Sequence, residues 1–158
     1  MALEKLTVVL HNAHGVEIVK QMARLVYGFG LSLFVLSKPT SAAAQTGVPE
    51  VHRLAFKLGK GLLVVPDVND ALELIKPSEA LFFVEKSRGE LFSEEEVVSK
   101  LREGGVVAFF FSGSEPGFSS KELEVGKPVH LGTPGEIGCI GSAAIALHRT
   151  VKRLSEEV

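Results

Sequence analysis

Apolar runs of strand length alternate with helical periods along the chain. Residues 6–10 form a β-branched apolar run suited to a buried strand. Over residues 15–27 the period changes. Val16, Val19, Met22, Ala23 and Val26 recur at helical spacing, with Glu17, Lys20, Gln21 and Arg24 on the opposite face. Gly28 and Gly30 end that helix. Residues 31–36 read as a second strand, closed by Lys38 and Pro39. Residues 40–46 read as a loop entering a second helix, with Pro49 and Glu50 in its first turn and its end near Leu58. A third strand covers 62–66. Asp67 or Asn69 then caps a short helix over 70–75. A fourth strand covers 81–84. Ser93 followed by Glu96 is a capping-box pattern for a helix ending near Arg102. Residues 106–111 are a fifth, wholly apolar strand. A short strand is expected over 129–131 and a last helix over 140–155, with Ala143, Ala144, Leu147, Val151 and Leu154 on one face.

Strands that are apolar throughout, separated by helices, predict a mainly parallel sheet covered by helices on both faces. The chain has 158 residues and neither repeats nor linkers, so one domain over 1–158 is expected. The hydrophobic fraction of 46% is ample for one core. With 17 basic and 19 acidic residues, charge does not announce a nucleic-acid binder, although local patches matter more than the sum. The single cysteine, Cys139, excludes an internal disulfide and points to a cytoplasmic setting. No apolar stretch is long enough for a membrane span, and the N-terminal run reads as a strand, not a signal peptide.

The common chemical signatures are missing. No dinucleotide or phosphate-loop glycine pattern is present, nor a nucleophile elbow. No Cys/His cluster has metal-ligand spacing, so no metal is expected. His11 and His14 read as surface or packed residues. Cys139 has no base nearby in sequence and reads as a packed thiol.

What remains is a glycine-rich segment after the fifth strand, with Gly113, Gly117, Gly126, Gly132, Gly135, Gly138 and Gly141. Gly113 and Gly117 let backbone approach a ligand closely at a strand's carboxyl end, where ligands bind in parallel sheets. The loop after 129–131 feeds a helix whose first turn is small, so its N–H groups can cup a ligand. Tight turns and close helix packing account for the same glycines without a ligand.

Three motifs in order carry a family resemblance. The first is Asn12, Arg24 and Phe29-Gly30. The second is Gly113-Ser114-Glu115-Pro116-Gly117. The third runs from His130-Leu131-Gly132 through Gly138, Ile140, Gly141 and Ser142-Ala143-Ala144. Together they resemble the SpoU-type RNA 2′-O-methyltransferases of the SPOUT superfamily, in a minimal single-domain form. The likeness spans essentially the whole chain. It departs from the pattern where Gly138, Cys139 and Ile140 replace the usual serine, leucine and asparagine, and where Leu131 replaces a proline. Those changes mark a divergent branch.

The resemblance implies a C-terminal trefoil knot, a homodimer built from the first and last helices, and S-adenosylmethionine bound in the knot. Its cofactor residues would be Gly113, Gly117, Leu131, Gly132, Gly138, Ile140, Gly141 and Ser142. Arg24 would engage RNA phosphate through its guanidinium fork and orient the ribose 2′-hydroxyl. Asn12 would shape the active site, and Glu115 would brace Arg24. The implied substrate is tRNA or rRNA. Three alternatives stand beside this reading: a non-catalytic RNA- or S-adenosylmethionine-binding dimer of the same fold, an unknotted doubly wound ligand-binding module, and a structural dimer whose glycines only make turns.

Overall fold

A computed structural model describes residues 2–156. The sheet has seven strands: β1 Leu6–His11, β2 Leu33–Ser37, β3 Gly61–Val65, β4 Glu79–Phe83, β5 Glu90–Leu91, β6 Val107–Ser112 and β7 Lys127–His130. All pairings are parallel, in the order β3-β2-β1-β6-β4-β7-β5. Six α-helices connect them: α1 Val16–Gly28, α2 Val48–Leu58, α3 Val68–Ile75, α4 Glu94–Arg102, α5 Ser120–Leu123 and α6 Gly138–Ser155. The expected α/β class with helices on both faces is the observed one.

β1 and β6 lie at the centre and are buried nearly throughout, because both of their faces are covered. Strand alternation divides their side chains between the faces. Leu6, Val8, Leu10, Phe109 and Phe111 meet α1, α2, α4 and α6 on one face. Val9, Ala108 and Phe110 meet α3 and Phe118 on the other. Asp67 caps α3 by accepting from Val68 N–H, and Ser93 caps α4 by accepting from Glu96 N–H, as their positions in sequence predict.

Some elements differ from expectation. Residues 43–47, expected as loop, form a π-helical turn leading into α2. β5 has only two residues and rests on pairing to β7, which no local pattern announces. α5 is a single turn with a full capping box between Ser119 and Glu122, a serine-to-glutamate spacing that was available in the sequence.

Two consequences of strand order position the site. The chain leaves β1 toward β2 and β3, then crosses to β4 and β5 on the other side before β6 fills the place between β1 and β4. The carboxyl edge between β1 and β6 is therefore a topological switch point. On the far side, β7 lies between β4 and β5, so segment 84–89 must cross it. Gly89 presses on the β7 backbone there; a Cβ on it would stand 2.8 Å from the carbonyl of Pro128.

Candidate functional site

The carboxyl ends of the strands carry two neighbouring groups of residues. The first is polar and made of side chains. His11 ends β1, Ser37 ends β2 and Asp67 lies two residues beyond β3. The His11 Nδ1 lies 2.6 Å from the Ser37 Oγ, and its Nε2 lies 2.7 Å from the Glu122 Oε2. A carboxylate can only accept. In the neutral imidazole the proton therefore sits on Nε2, and Nδ1 accepts from the Ser37 hydroxyl. Glu122 Oε1 accepts from Ser119 N–H at 2.8 Å. Asp67 lies alongside: one ligand atom each from His11, Asp67 and Glu122 fall within 4.8 Å of one another. Phe118 stacks on the His11 ring at 5.7 Å between centroids. The Ser37–His11–Glu122 chain has the connectivity of a nucleophile, a base and an orienting acid. Ser37, however, is 0% exposed, so no substrate can reach its hydroxyl.

The second group is a cleft of about 440 Å³ lined by glycine-bearing loops and by the rings of Phe83, Phe111 and Phe118. Gly113, Ser114, Glu115, Pro116 and Gly117 form one wall, and Gly138, Cys139 and Ser142 of α6 form another. It opens into a hollow of about 280 Å³ lined by Leu131 and the 133–137 loop, with Glu85, Glu136 and Ser142 common to both. Glu85, Glu115 and Glu136 outnumber Arg88 around it, so the walls favour a cation over a phosphate chain. The Gly138 N–H at the start of α6 already donates to the Glu136 carboxylate at 2.8 Å, which takes up a donor the sequence left open for a ligand. Burial pushes the Cys139 thiol up from its ordinary value, so it is a protonated lining residue at neutral pH.

The expected site residues divide between these places. Gly113, Gly117, Gly138 and Ser142 line the cleft, and Leu131 lines the adjoining hollow. Gly132, Ile140 and Gly141 lie outside both linings, and Ile140 packs on the core. Gly113 is tight for a different reason than expected. A Cβ on it would meet Ala13 Cα at 2.8 Å, so it serves the β1–β6 junction. Asn12 adopts a left-handed backbone with φ 60, which asparagine tolerates. Its Nδ2 donates to Ser114 Oγ at 2.9 Å, joining the two groups. Glu115 is exposed at the cleft rim. Arg24 is exposed on α1, lines neither hollow and makes no ion pair with Glu115.

Asp67 and Glu122 were missed as functional candidates. Their chain separation from His11 hides the grouping, and Asp67 read only as a helix cap. The cluster also revises the expectation of no metal-ligand set, because parallel pairing gathers residues that sequence spacing keeps apart.

Residues 41–149 match the family described as RecB-family nuclease (DUF2122). The chain is 32% identical over 96% of its length to all of "Putative type II restriction enzyme MjaORF1200P" from Methanocaldococcus jannaschii. It is 41% identical over 89% of its length to 88% of "Putative type II restriction enzyme ApeKORF2002P" from Aeropyrum pernix. Solved structures share the architecture at much lower identity. A "putative methylase family protein" from Neisseria gonorrhoeae superposes with a TM-score of 0.78 at 14% identity, over 99% of this chain and 85% of that one. The SpoU methyltransferase AviRb from Streptomyces viridochromogenes, in complex with the cofactor AdoMet, gives 0.72 at 10% identity, over 95% of this chain and 60% of that one.

The SPOUT-type architecture expected from the motifs is thus the observed one, and enzymes stand in both sets of comparisons. The expected RNA 2′-O-methyltransferase activity, with the non-catalytic dimer as its alternative, is overturned by the family match and both sequence relatives. The physical reason is that the glycine motifs specify how backbone folds around a cleft, and one architecture hosts different chemistries. On sequence this chain belongs to the family described as RecB-family nuclease (DUF2122).

Proposed function

We propose that this protein hydrolyses phosphodiester bonds of nucleic acid at the carboxyl edge of its sheet. One observation carries the reading. The family match over 41–149 contains Asp67, the 112–119 loop, Glu122 and the first turn of α6, while His11, Asn12 and Ser37 of the same edge precede it. In such a reaction a water oxygen adds to phosphorus and one P–O ester bond breaks. The water's proton ends on the leaving oxygen. The edge offers acceptors for that proton in Glu122 and Asp67, and Asn12 and Ser114 fix the loop between the two groups.

The test is incubation of the purified protein with supercoiled plasmid, linear duplex DNA, single-stranded DNA and RNA, each with Mg²⁺, Mn²⁺ or chelator. Nicking or linearisation of DNA that fails in a Glu122→Gln preparation made alongside is the expected outcome. Intact substrates under every condition would end the reading. Cleavage confined to RNA would keep the chemistry and change the substrate.

A second, compatible reading concerns the cleft. We infer that it takes S-adenosylmethionine as a ligand. It is favoured by the acidic rim, which suits a sulfonium cation, and by the cofactor in a solved structure of this fold. Calorimetric titration should show binding that Ser142→Leu abolishes, since Ser142 borders both hollows. No heat at millimolar ligand would refute it. A homodimer through α1 and α6 is proposed on the same likeness, and sedimentation at two concentrations tests it.

A further inference from the structure

We propose that His11, Asp67 and Glu122 form a binding site for one divalent cation at the switch point of the sheet. The donors are chemically suited: one imidazole nitrogen and two carboxylates, a mixed nitrogen and oxygen set that fits Mn²⁺ or Zn²⁺. They come from three separate segments, the end of β1, the cap of α3, and α5, yet their ligand atoms fall within 4.8 Å of one another.

Each donor is already oriented by a second interaction. Val68 N–H donates to Asp67 Oδ1 at 2.7 Å, and Ser119 N–H donates to Glu122 Oε1 at 2.8 Å. Ser37 stands 2.6 Å behind the His11 Nδ1. That serine makes the exchange from hydrogen-bond donor to metal ligand possible. Its hydroxyl can donate to Nδ1 while Nε2 holds the proton, or accept from Nδ1–H once Nε2 gives its lone pair to a cation. A buried apolar neighbour could do neither. His11 is 2% exposed and held flat by Phe118, so its Nε2 is fixed toward the carboxylates. Asp67 is exposed and Glu122 half-buried, leaving the outer side of the site open to water or a phosphate oxygen.

Charge supplies a second reason. The adjoining rim carries Glu85, Glu115 and Glu136. A phosphate chain approaching this edge meets carboxylates on both sides unless a cation lies between. In that role the site rests on the nuclease reading; as a cation site it stands alone.

The test is direct binding of Mn²⁺, read from loss of the free-ion electron paramagnetic resonance signal as protein is added. One ion per chain is expected. Asp67→Asn and Glu122→Gln, which keep both backbone caps, should each weaken binding about tenfold or more. Glu124→Gln, an exposed carboxylate outside the cluster, should leave it unchanged. Zn²⁺ should displace the bound Mn²⁺ from the same site. Absence of binding, or binding indifferent to both cluster variants in protein of normal circular dichroism, would overturn the site. Saturable binding of this kind without any cleavage of nucleic acid would uphold the site and reject the nuclease reading; cleavage that persists in chelator would uphold the nuclease reading and overturn the site's part in it.

Discussion

The two groups at the carboxyl edge are neighbours built by opposite means. The polar group depends on side chains from β1, β2, α5 and the start of α3, each held by a named hydrogen bond. The cleft depends on loops: the 113–117 turn and the start of α6 border a hollow whose floor includes the buried rings of Phe83, Phe111 and Phe118. Side chains of the first kind grip a charge at a point, whereas a hollow bounded by loops selects a ligand by shape. The loop 112–119 serves both, through Phe118 on His11, Ser114 on Asn12, and Gly113 and Gly117 on the cleft. A change in it should be felt on both sides, while a change in either group's outer members should stay local.

The largest expected effect comes from removing the shared packing. Phe118 is 3% exposed and touches Phe82 as well as His11. Phe118→Ala should cost about 3–5 kcal/mol in urea unfolding, and it should weaken Mn²⁺ binding and cleft-ligand binding together. If only one falls, the two groups are not coupled through this loop. Gly113→Val comes next. Its added carbons would collide with the Ala13 backbone, and a loss of about 1–3 kcal/mol is expected, again with both groups affected.

Smaller effects should separate the groups. Glu122→Gln keeps the acceptor for Ser119 N–H but turns an amide NH2 toward His11, and should cost about 1 kcal/mol, lowering Mn²⁺ affinity while cleft binding persists. Ser142→Leu should do the converse, with stability within about 0.5–1 kcal/mol of the parent.

The smallest effect lies on a helix pair away from both groups. Arg149 Nη2 donates to Glu94 Oε1 at 2.7 Å, and that hydrogen bond holds the Glu94 carboxyl below its ordinary value. A depressed carboxyl stabilises the fold above its unfolded value, and the contribution is lost as pH falls through the folded one. Arg149→Met should therefore lower stability by less than about 1 kcal/mol at neutral pH, because the pair is partly exposed. The gap to the parent should close in acid. A gap constant with pH would assign the loss to the contact of Arg149 with the Phe92 ring instead.

Much of the fold was legible in local pattern. The unbroken apolar runs at β1 and β6 announce strands covered on both faces, and the caps at Asp67 and Ser93 announce helix starts. The glycine segment announced close approaches of backbone, and Gly113, Gly117, Gly138 and Ser142 line a cleft, with Leu131 in the adjoining hollow. The chemistry was not legible there. Glycines report where backbone approaches something closely, not what reacts.

The sequence by itself determined the alternation of strand and helix, the parallel class of the sheet and which residues turn inward, because each depends on periodicity over a few residues. Only the tertiary structure decided the strand order, and with it everything that joins distant positions. It set β1 between β2 and β6, which brings Ser37 to His11. It carried Asp67 and Glu122 to the same imidazole. It placed β7 under segment 84–89. Such meetings depend on which strands pair and how helices pack, and no spacing along the chain encodes them.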